Sequence, residues 1–414
     1  MTENSNIQIF KNTKFQTARL GCFFRLPLTQ KNLSYATLLA LYQGNVSDKY
    51  RTMQEQATQL AELYDVNLSI FPQVRGNQII FQFQLEWVET DLIVDPDYTL
   101  QKIVEFAKEI LLHPLFDDVS ATMLKLTKNE LFDEVDEFFD SPDNVAFYDF
   151  YKHYYADRPE YSATLFGDVE LLHSVTLPEL AEFQKNLLAV PTLIIGTAAA
   201  EAELTSLVEQ QIVLGIAGIT RKFAEPKLII AANEQPYQEV KREFGSQQSQ
   251  LFMGYAFTNQ PRNRWISNVF TQYLGGDESS VLFQNVREKL GAAYAVDALN
   301  YNDNNLLVVA AGLQKDKLQV SRAAIEAEIA QIAQGDLKEA VLEQAKKSLL
   351  RQRKMMFDRQ KNILAVTLNE RLRGRKLTRA ETELEVERNV AAVSAADMAQ
   401  FAQQLILKES YVLD

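Results

Sequence analysis

Cysteine is almost missing from this sequence: Cys22 is the only one. That excludes a disulfide framework within the chain, and with it the small disulfide-stapled class of secreted domain. Its neighbours, Gly-Cys-Phe-Phe-Arg-Leu, read as an apolar strand, so the thiol is expected to be buried and not a nucleophile. Histidine is scarce too. His113, His153 and His173 are the only three, and none has another at helical spacing, so each reads as a packing or surface residue, with His113 before Pro114 at a helix end. No run approaches the roughly 18 consecutive apolar residues that a membrane span needs. The opening Met-Thr-Glu-Asn-Ser-Asn-Ile-Gln-Ile-Phe has neither the basic nor the apolar region of a signal peptide, and a cytoplasmic protein is expected. The glycine fingerprints of dinucleotide and phosphate-loop sites are absent, as are low-complexity tracts.

An excess of positive charge is lacking as well. The chain carries 42 Lys and Arg against 55 Asp and Glu, a formal net charge of −13. Nucleic acid and anionic membranes select basic faces, so neither is expected as the main partner. Basic clusters at Lys346–Lys354 and Arg371–Arg379 lie among acidic residues and read as solvated helix faces.

What is present is enough apolar material for more than one core: 47% of 414 residues are hydrophobic, and a chain of this length is expected to divide into two or more domains. Phe15–Leu26 reads as a strand, Leu33–Tyr42 as a buried helix, and Met53, Ala57, Leu60, Ala61 and Tyr64 as a helix behind Ser47 as N-cap. Val66–Val74 and Ile79–Trp87 form a hairpin around Arg75-Gly76-Asn77-Gln78. The alternation in Ile-Ile-Phe-Gln-Phe-Gln-Leu predicts one covered face and one that is wet or lines a cavity. A helix over Pro96–Leu112, an acidic helix from Asp118 and further helix through Tyr154 follow. Thr176-Leu-Pro-Glu179 has the capping-box pattern, and Pro191–Ala198 reads as a buried strand.

The second half repeats this plan. Val175–Phe183 can be laid on Val393–Phe401 at a constant offset of about 218 residues. Each segment has a hydroxyl N-cap with a carboxylate three positions on, and each leads into a strand. The hairpin over residues 66–87 likewise matches one over residues 292–313. The fold class expected is therefore α+β: two homologous domains by duplication, each a mostly antiparallel sheet with helices packed on it. The boundary is placed in Ile216–Pro226, giving domains over residues 1–217 and 227–414.

Only the stretch from Leu274 to Leu313 holds side chains with a plausible chemical role. A Gly-Gly pair opens it, Ser279–Leu290 predicts a helix ending at Gly291, and strands follow over Ala292–Tyr301 and Leu306–Leu313. Arg287 on the last helical turn and Tyr294 at the start of the strand bring a cation and a phenol to one sheet edge. Read on their own, Arg287 at a helix C-terminus and Tyr294 as a half-buried strand residue also have a purely structural explanation.

The pattern Leu-Gly-Gly…Ser-x-Leu-Phe-x-x-Val-Arg-Glu-Lys-x-Gly-x-x-Tyr, here Leu274 to Tyr294, resembles the pitrilysin–insulinase family of zinc peptidases, in its short-subunit branch with the mitochondrial and bacterial processing peptidases. The resemblance extends over the whole chain in order and implies two homologous α+β domains. It also implies that Arg287 and Tyr294 hold substrate backbone and stabilise the oxyanion at the scissile carbonyl. Active members carry His-x-x-Glu-His on the first long helix of the N-terminal domain, two imidazoles for zinc and a carboxylate to activate water. Here that motif falls on Tyr35-Ala-Thr-Leu38-Leu39, and no ligand survives at Tyr35, Leu38 or Leu39. Glu134 occupies the distal ligand position and reads as a relic on an acidic helix.

The leading expectation is thus a non-catalytic subunit of a heterodimeric zinc peptidase that processes short, unstructured peptides. It has no cofactor of its own, zinc being expected only in a homologous partner subunit. The alternative is a peptide-binding or scaffold protein without proteolytic role, dimeric with itself. A hydrolase built on Ser279 and Ser280 has no histidine placed near them in sequence and no nucleophile-elbow pattern.

Overall fold

The computed structural model describes residues 6–117, 120–162, 166–258 and 263–414. Its strands are β1 (Ile7–Lys11), β2 (Thr17–Pro27), β3 (Asn67–Arg75), β4 (Gln78–Val88), β5 (Thr192–Ala198), β6 (Gln238–Arg242), β7 (Ser249–Ala256), β8 (Ala293–Tyr301), β9 (Leu306–Leu313) and β10 (Ile406–Leu413). They form two five-stranded sheets, in the orders β1-β5-β2-β4-β3 and β6-β10-β7-β9-β8. The two orders are one topology used twice: first strand, last, second, fourth, third. In each sheet the outermost first strand runs parallel to the last one, and every other pairing is antiparallel. The α+β duplication expected from the sequence is the architecture observed.

Local chemistry explains where the repeated elements begin. Thr176 and Ser394, one offset apart, each make a reciprocal capping box, with Glu179 and Asp397. These carboxylates accept the backbone N–H of Thr176 at 2.8 Å and of Ser394 at 2.9 Å. The helix Met53–Glu62 starts at Thr52, not at Ser47: Thr52 caps Glu55 and Glu55 returns to Thr52, while Ser47 receives the N–H of Tyr50 in the preceding turn at 3.1 Å.

The chain forms two compact units, one from Met1–Val135, Ala163–Pro226 and Arg359–Lys376, the other from Asp136–Ser162, Lys227–Asp358 and Leu377–Asp414. Each unit therefore includes a helix encoded in the other half of the sequence, which a single boundary at Ile216–Pro226 does not describe. The reason is a second sheet face that needs cover. In the first unit, helix Lys361–Leu372 packs on β5. Its Leu364 comes so close to Gly21 that a Cβ there would lie 3.2 Å from it. In the second, helix Pro142–Tyr154 packs on β7 and β10, and Phe150, Tyr151 and Tyr154 join Phe252, Val308, Tyr411 and Leu413 in one buried cluster.

The opposite face of the second sheet carries the larger core, with Leu251, Met253, Leu307, Val309 and Val412 against helices Asn263–Gly275, Leu318–Ala333 and Ala395–Gln404. In the first sheet the polar side of β4 is also covered, contrary to the wet or cavity-lining face its alternation suggests. Gln82 and Gln84 are buried and are kept there by hydrogen bonds. Gln84 donates to Gln82 at 2.7 Å, Gln82 to Gln73 at 3.0 Å, and Arg19 to Gln84 at 3.0 Å. Buried amides cost little when partnered in this way.

Candidate functional site

Helix Asn263–Gly275 delivers the chain to the edge of the second sheet. A Cβ on Gly275 would lie 2.7 Å from the backbone nitrogen of Ala298, so a residue without a side chain lets the helix end close on β8. Asp277 then organises the turn. Its carboxylate accepts the Ser279 hydroxyl at 2.5 Å, the Ser279 N–H at 2.9 Å and the Gln272 amide at 2.7 Å. Burial pushes its carboxyl up, but these bonds outweigh that and hold it below the usual carboxylate range. Ser279 is thus engaged by Asp277, and Ser280 is buried.

The segment expected to be a regular helix winds wider over most of its length, as a π-helix from Phe283 to Lys289. The N–H of Leu290 reaches back five residues to the Asn285 carbonyl at 3.2 Å. Gly291 follows at φ +55°, the left-handed region in which glycine carries no penalty. Arg287 is exposed on this turn, with its guanidinium 4.7 Å from the centroid of the Phe283 ring. π-turns concentrate at functional sites, and an aromatic platform restricts an otherwise free arginine.

A second irregularity follows within a few residues. Ala293 pairs with Leu313 and Ala295 with Gly312, its immediate neighbour, so Tyr294 is the extra residue of a β-bulge. The side chain is 58% exposed. β8 is the outermost strand of its sheet, and bulges on edge strands re-aim a side chain and interrupt pairing. Arg287 and Tyr294 therefore stand on consecutive backbone irregularities at one sheet edge. Among the described residues no hydrogen bond joins them to each other.

The positions at which the resemblance places the zinc ligands present a different picture. Helix Gln30–Asn45 buries Tyr35, Leu38 and Leu39. The Tyr35 ring lies 5.5 Å from that of Phe183, with the Lys31 ammonium 5.4 Å from its centroid. A phenol packed between a ring and a cation and two leucines offer no imidazole or carboxylate, so these residues do not fit a zinc ion. Glu134 is exposed on helix Ser120–Asp140. Among the described residues no three His, Cys, Asp or Glu side chains are grouped to hold a metal. The histidines pack: His173 stacks on Phe132 at 3.9 Å and His153 lies over Tyr411 at 6.1 Å, while His113 terminates helix Leu100–Leu112. Cys22 is fully buried, and that burial pushes its thiol up to about 12.

Two features were not foreseen. Phe283 lies four residues before Arg287, the spacing at which helical side chains meet, so its role was open to inspection. Glu409 is 1% exposed on β10, both its carboxylate oxygens are buried with no hydrogen-bond partner, and burial pushes its carboxyl up to about 8. The period-two pattern of Glu409, Tyr411 and Leu413 places it on the tyrosine-rich face of the sheet.

Residues 146–349 match the sequence family described as the peptidase M16 inactive domain. Curated relatives are an uncharacterized zinc protease of Rickettsia felis, 23% identical over 215 residues, and one of Bacillus subtilis, 23% identical over 249 residues. A further one, from Rickettsia bellii, is 35% identical over 97 residues. These matches cover 47%, 58% and 23% of the chain and equal shares of the relatives; the chain thus spans about half, or less, of the length of the curated relatives it matches. Among solved structures, a conserved protein from Enterococcus faecalis superposes with a TM-score of 0.84 at 24% identity, covering 99% of this chain and 96% of that one. A peptidase M16 inactive domain from Pseudomonas fluorescens gives 0.76 at 14% identity, covering 100% and 96%. Those likenesses establish the fold. The sequence match adds that residues 146–349, just under half of the chain, are similar to the peptidase M16 inactive domain.

Proposed function

We propose that this chain is the non-catalytic subunit of a heterodimeric zinc metallopeptidase acting on short, unstructured peptides. In this reading Arg287 and Tyr294 contribute to an active site whose zinc and water-activating carboxylate lie in a homologous partner subunit. The observation that carries the proposal is the contrast within one chain. The zinc positions are filled by packed Tyr35, Leu38 and Leu39, while Arg287 and Tyr294 are left exposed on a π-turn and a bulge at a sheet edge.

The chemistry follows from charge development. As water adds to a peptide carbonyl, negative charge grows on its oxygen, and a guanidinium or phenol held in advance favours the transition state over the ground state. The outer edge of β8 has unpaired backbone groups of the kind an extended peptide joins as an added strand, giving affinity without demanding sequence. The acidic charge of the chain favours basic peptides. Names of the relatives agree with a proteolytic setting, and a cytoplasmic location completes the proposal.

The test is cleavage of a quenched-fluorescent peptide library by this chain, by a co-expressed His-x-x-Glu-His homologue, and by their mixture. Cleavage only by the mixture, lost with Arg287→Ala and reduced with Tyr294→Phe, supports the proposal. One observation favours the second reading, a peptide-binding or scaffold protein that pairs with itself: Arg287 already has a packing role over Phe283. A homologue that cleaves equally well alone, with a self-dimer of this chain in solution, selects that reading. Zinc-dependent cleavage by this chain alone refutes both.

A further inference from the structure

Helix Met53–Glu62 turns its apolar stripe outward. The spacing of Met53, Ala57, Leu60, Ala61 and Tyr64 predicts a side packed on a core, but the residue this helix buries is Gln56. The Gln56 amide donates to the Gly44 carbonyl at 2.5 Å, so the helix is tied down by a polar side chain. Met53, Ala57, Ala61 and Tyr64 are left exposed, Met53 and Tyr64 at 44% each.

The stripe continues onto a neighbouring loop. Asn67 at the start of β3 pairs with Glu86 near the end of β4, so the segment after the helix and the segment after β4 meet the sheet side by side. In that second segment Leu92 is 50% exposed and Val94 fully so. The Tyr64 hydroxyl donates to the Asp95 carboxylate at 3.0 Å and its ring meets that of Tyr98 edge-on at 5.0 Å, which joins the two parts. Tyr64 and Asp65 adopt φ of 56° and 55°, two successive left-handed residues without a glycine. Such strain collects at functional sites, and here both side chains face solvent, where core packing gains nothing from it.

The surrounding charge is mostly of one sign. Glu62, Asp65 and Asp91 stand exposed around the Tyr64 end, and among the described residues Asp65 and Asp91 pair with no cation. Asp97 is balanced by Lys102 at 2.9 Å. At the other end Arg51 pairs with Asp117, and Lys49 has acids beside it: Asp48 precedes it, and Glu109 accepts its backbone N–H at 2.7 Å. A second copy of the chain laid stripe on stripe would set acid against acid at either end, and an anionic membrane is repelled by the same carboxylates.

From this arrangement we infer a docking surface for a basic amphipathic helix of another protein. Its apolar side rests on Met53, Ala57, Ala61 and Tyr64, and its lysines or arginines reach Asp65 and Asp91. The stripe from Met53 to Tyr64 is roughly 16 Å long at 1.5 Å per residue. Alanines between a methionine and a tyrosine leave a shallow saddle, so a second helix can approach to the usual interaxial distance of roughly 8–10 Å. Apolar anchors at helical spacing are the means by which helices are recognised on such surfaces. The inference does not depend on the peptidase role: the stripe lies in the first unit, whereas Arg287 and Tyr294 belong to the second.

Fluorescence anisotropy tests it, with the full chain titrated at 50 and 200 mM KCl into a labelled peptide of leucine and lysine, about 15 residues long with leucine at helical spacing. Saturable binding of one peptide per chain is expected, weaker at the higher salt because screening shortens the reach of exposed charges. Ala57→Glu combined with Ala61→Glu adds acid but interrupts the apolar stripe. It should weaken binding at least tenfold, whereas attraction by charge alone would strengthen it. Asp65→Asn combined with Asp91→Asn should weaken binding several-fold and reduce its salt dependence. Glu170→Gln combined with Glu182→Gln removes the same charge from exposed positions elsewhere in the first unit and should leave binding within twofold. Circular dichroism and a thermal melt establish that each variant is folded. Absence of saturable binding, unchanged or tighter binding by the Ala57→Glu and Ala61→Glu double variant, or equal binding of a scrambled peptide of the same composition overturns the assignment. A self-dimer that this double variant dissociates also overturns it, giving the surface to a second copy.

Discussion

Burying Glu409 without a partner gives the fold a pH dependence opposite to that of an ordinary ion-paired carboxylate. The residue sits on β10 opposite Gly254, which contributes no side chain. Tyr154, beside it, is likewise pushed up by burial, with Glu409 adding to the shift. The nearby Asp149 is committed to Arg242 and to the Tyr411 hydroxyl. Glu409 therefore holds its proton up to about 8, against 4.5 for a free carboxyl. Between those values the unfolded chain has lost the proton while the folded chain keeps it. The folded state binds more protons there, so stability falls as pH rises from about 4.5 through about 8, and does not change on this account below that window. At 1.36 kcal/mol per pH unit the full effect is on the order of 4–5 kcal/mol.

Glu409→Gln preserves the shape and cannot ionise, so it separates this effect from packing. At pH 5 the variant should lie within about 1 kcal/mol of the parent, the remaining difference being a buried amide in place of a buried acid. At pH 8.5 it should be more stable by about 3–5 kcal/mol. A chain of two compact units need not unfold in one step, so the effect is best read locally, by hydrogen exchange of peptides spanning Ile406–Asp414 at the two pH values. Protection in the parent should fall on going to pH 8.5, after correction for intrinsic exchange, and in the variant it should not. Equal pH dependence in both proteins refutes the reasoning, because the carboxyl would then be ionised in the fold or solvated there.

Further outcomes follow from the same structure. Arg287→Ala and Tyr294→Phe, both at exposed positions, should shift stability by no more than about 0.5 kcal/mol, while lowering the rate of the mixed peptidase by about 10²-fold if they act on the oxyanion; melting curves and initial rates separate the two effects. Thr176→Ala and Ser394→Ala should each cost about 1 kcal/mol, and by similar amounts, because they remove equivalent capping boxes; denaturant midpoints measure this. Gly275→Ala should cost about 1–3 kcal/mol by driving a methyl into the Ala298 backbone, visible as a lowered melting temperature. Cys22 should resist iodoacetamide at pH 8 until the chain is unfolded, as mass spectrometry would record.

Much of the architecture was legible because the sequence writes it twice. The hydroxyl and carboxylate of Thr176 and Glu179, and of Ser394 and Asp397, are local signals that tertiary context had no reason to override. The hairpins were equally plain, each a pair of extended runs around a short turn. What escaped was non-local. No pattern in Pro142–Tyr154 or Lys361–Leu372 tells which sheet each will cover, since an apolar helix face fits either. Gln82 and Gln84 looked solvent-facing because polarity is read as exposure, whereas a ladder of amides can satisfy itself when buried. The first strands, β1 and β6, are five residues each, too short to carry a period of their own.

The candidate site divides along the same line. Arg287 and Tyr294 were legible as residue types at a spacing, yet the features that set them apart are backbone irregularities, a π-turn and a bulge, and these leave no mark in hydrophobic periodicity. A helix with an i+4 repeat and a strand with an alternating one would have carried the same letters. Regular geometry would have aimed Tyr294 by the pleat of β8 and continued Arg287 along an ordinary helical face. Both irregularities weaken backbone pairing, and packing alone offers no return for them at exposed side chains. A structural role for the pair predicts that regularising the turn by deleting one exposed residue within it, Glu288 for instance, is tolerated or stabilising. A substrate role predicts that the same deletion, with the fold intact by circular dichroism, abolishes cleavage by the mixed peptidase, because the cation and the phenol no longer point where the carbonyl oxygen arrives.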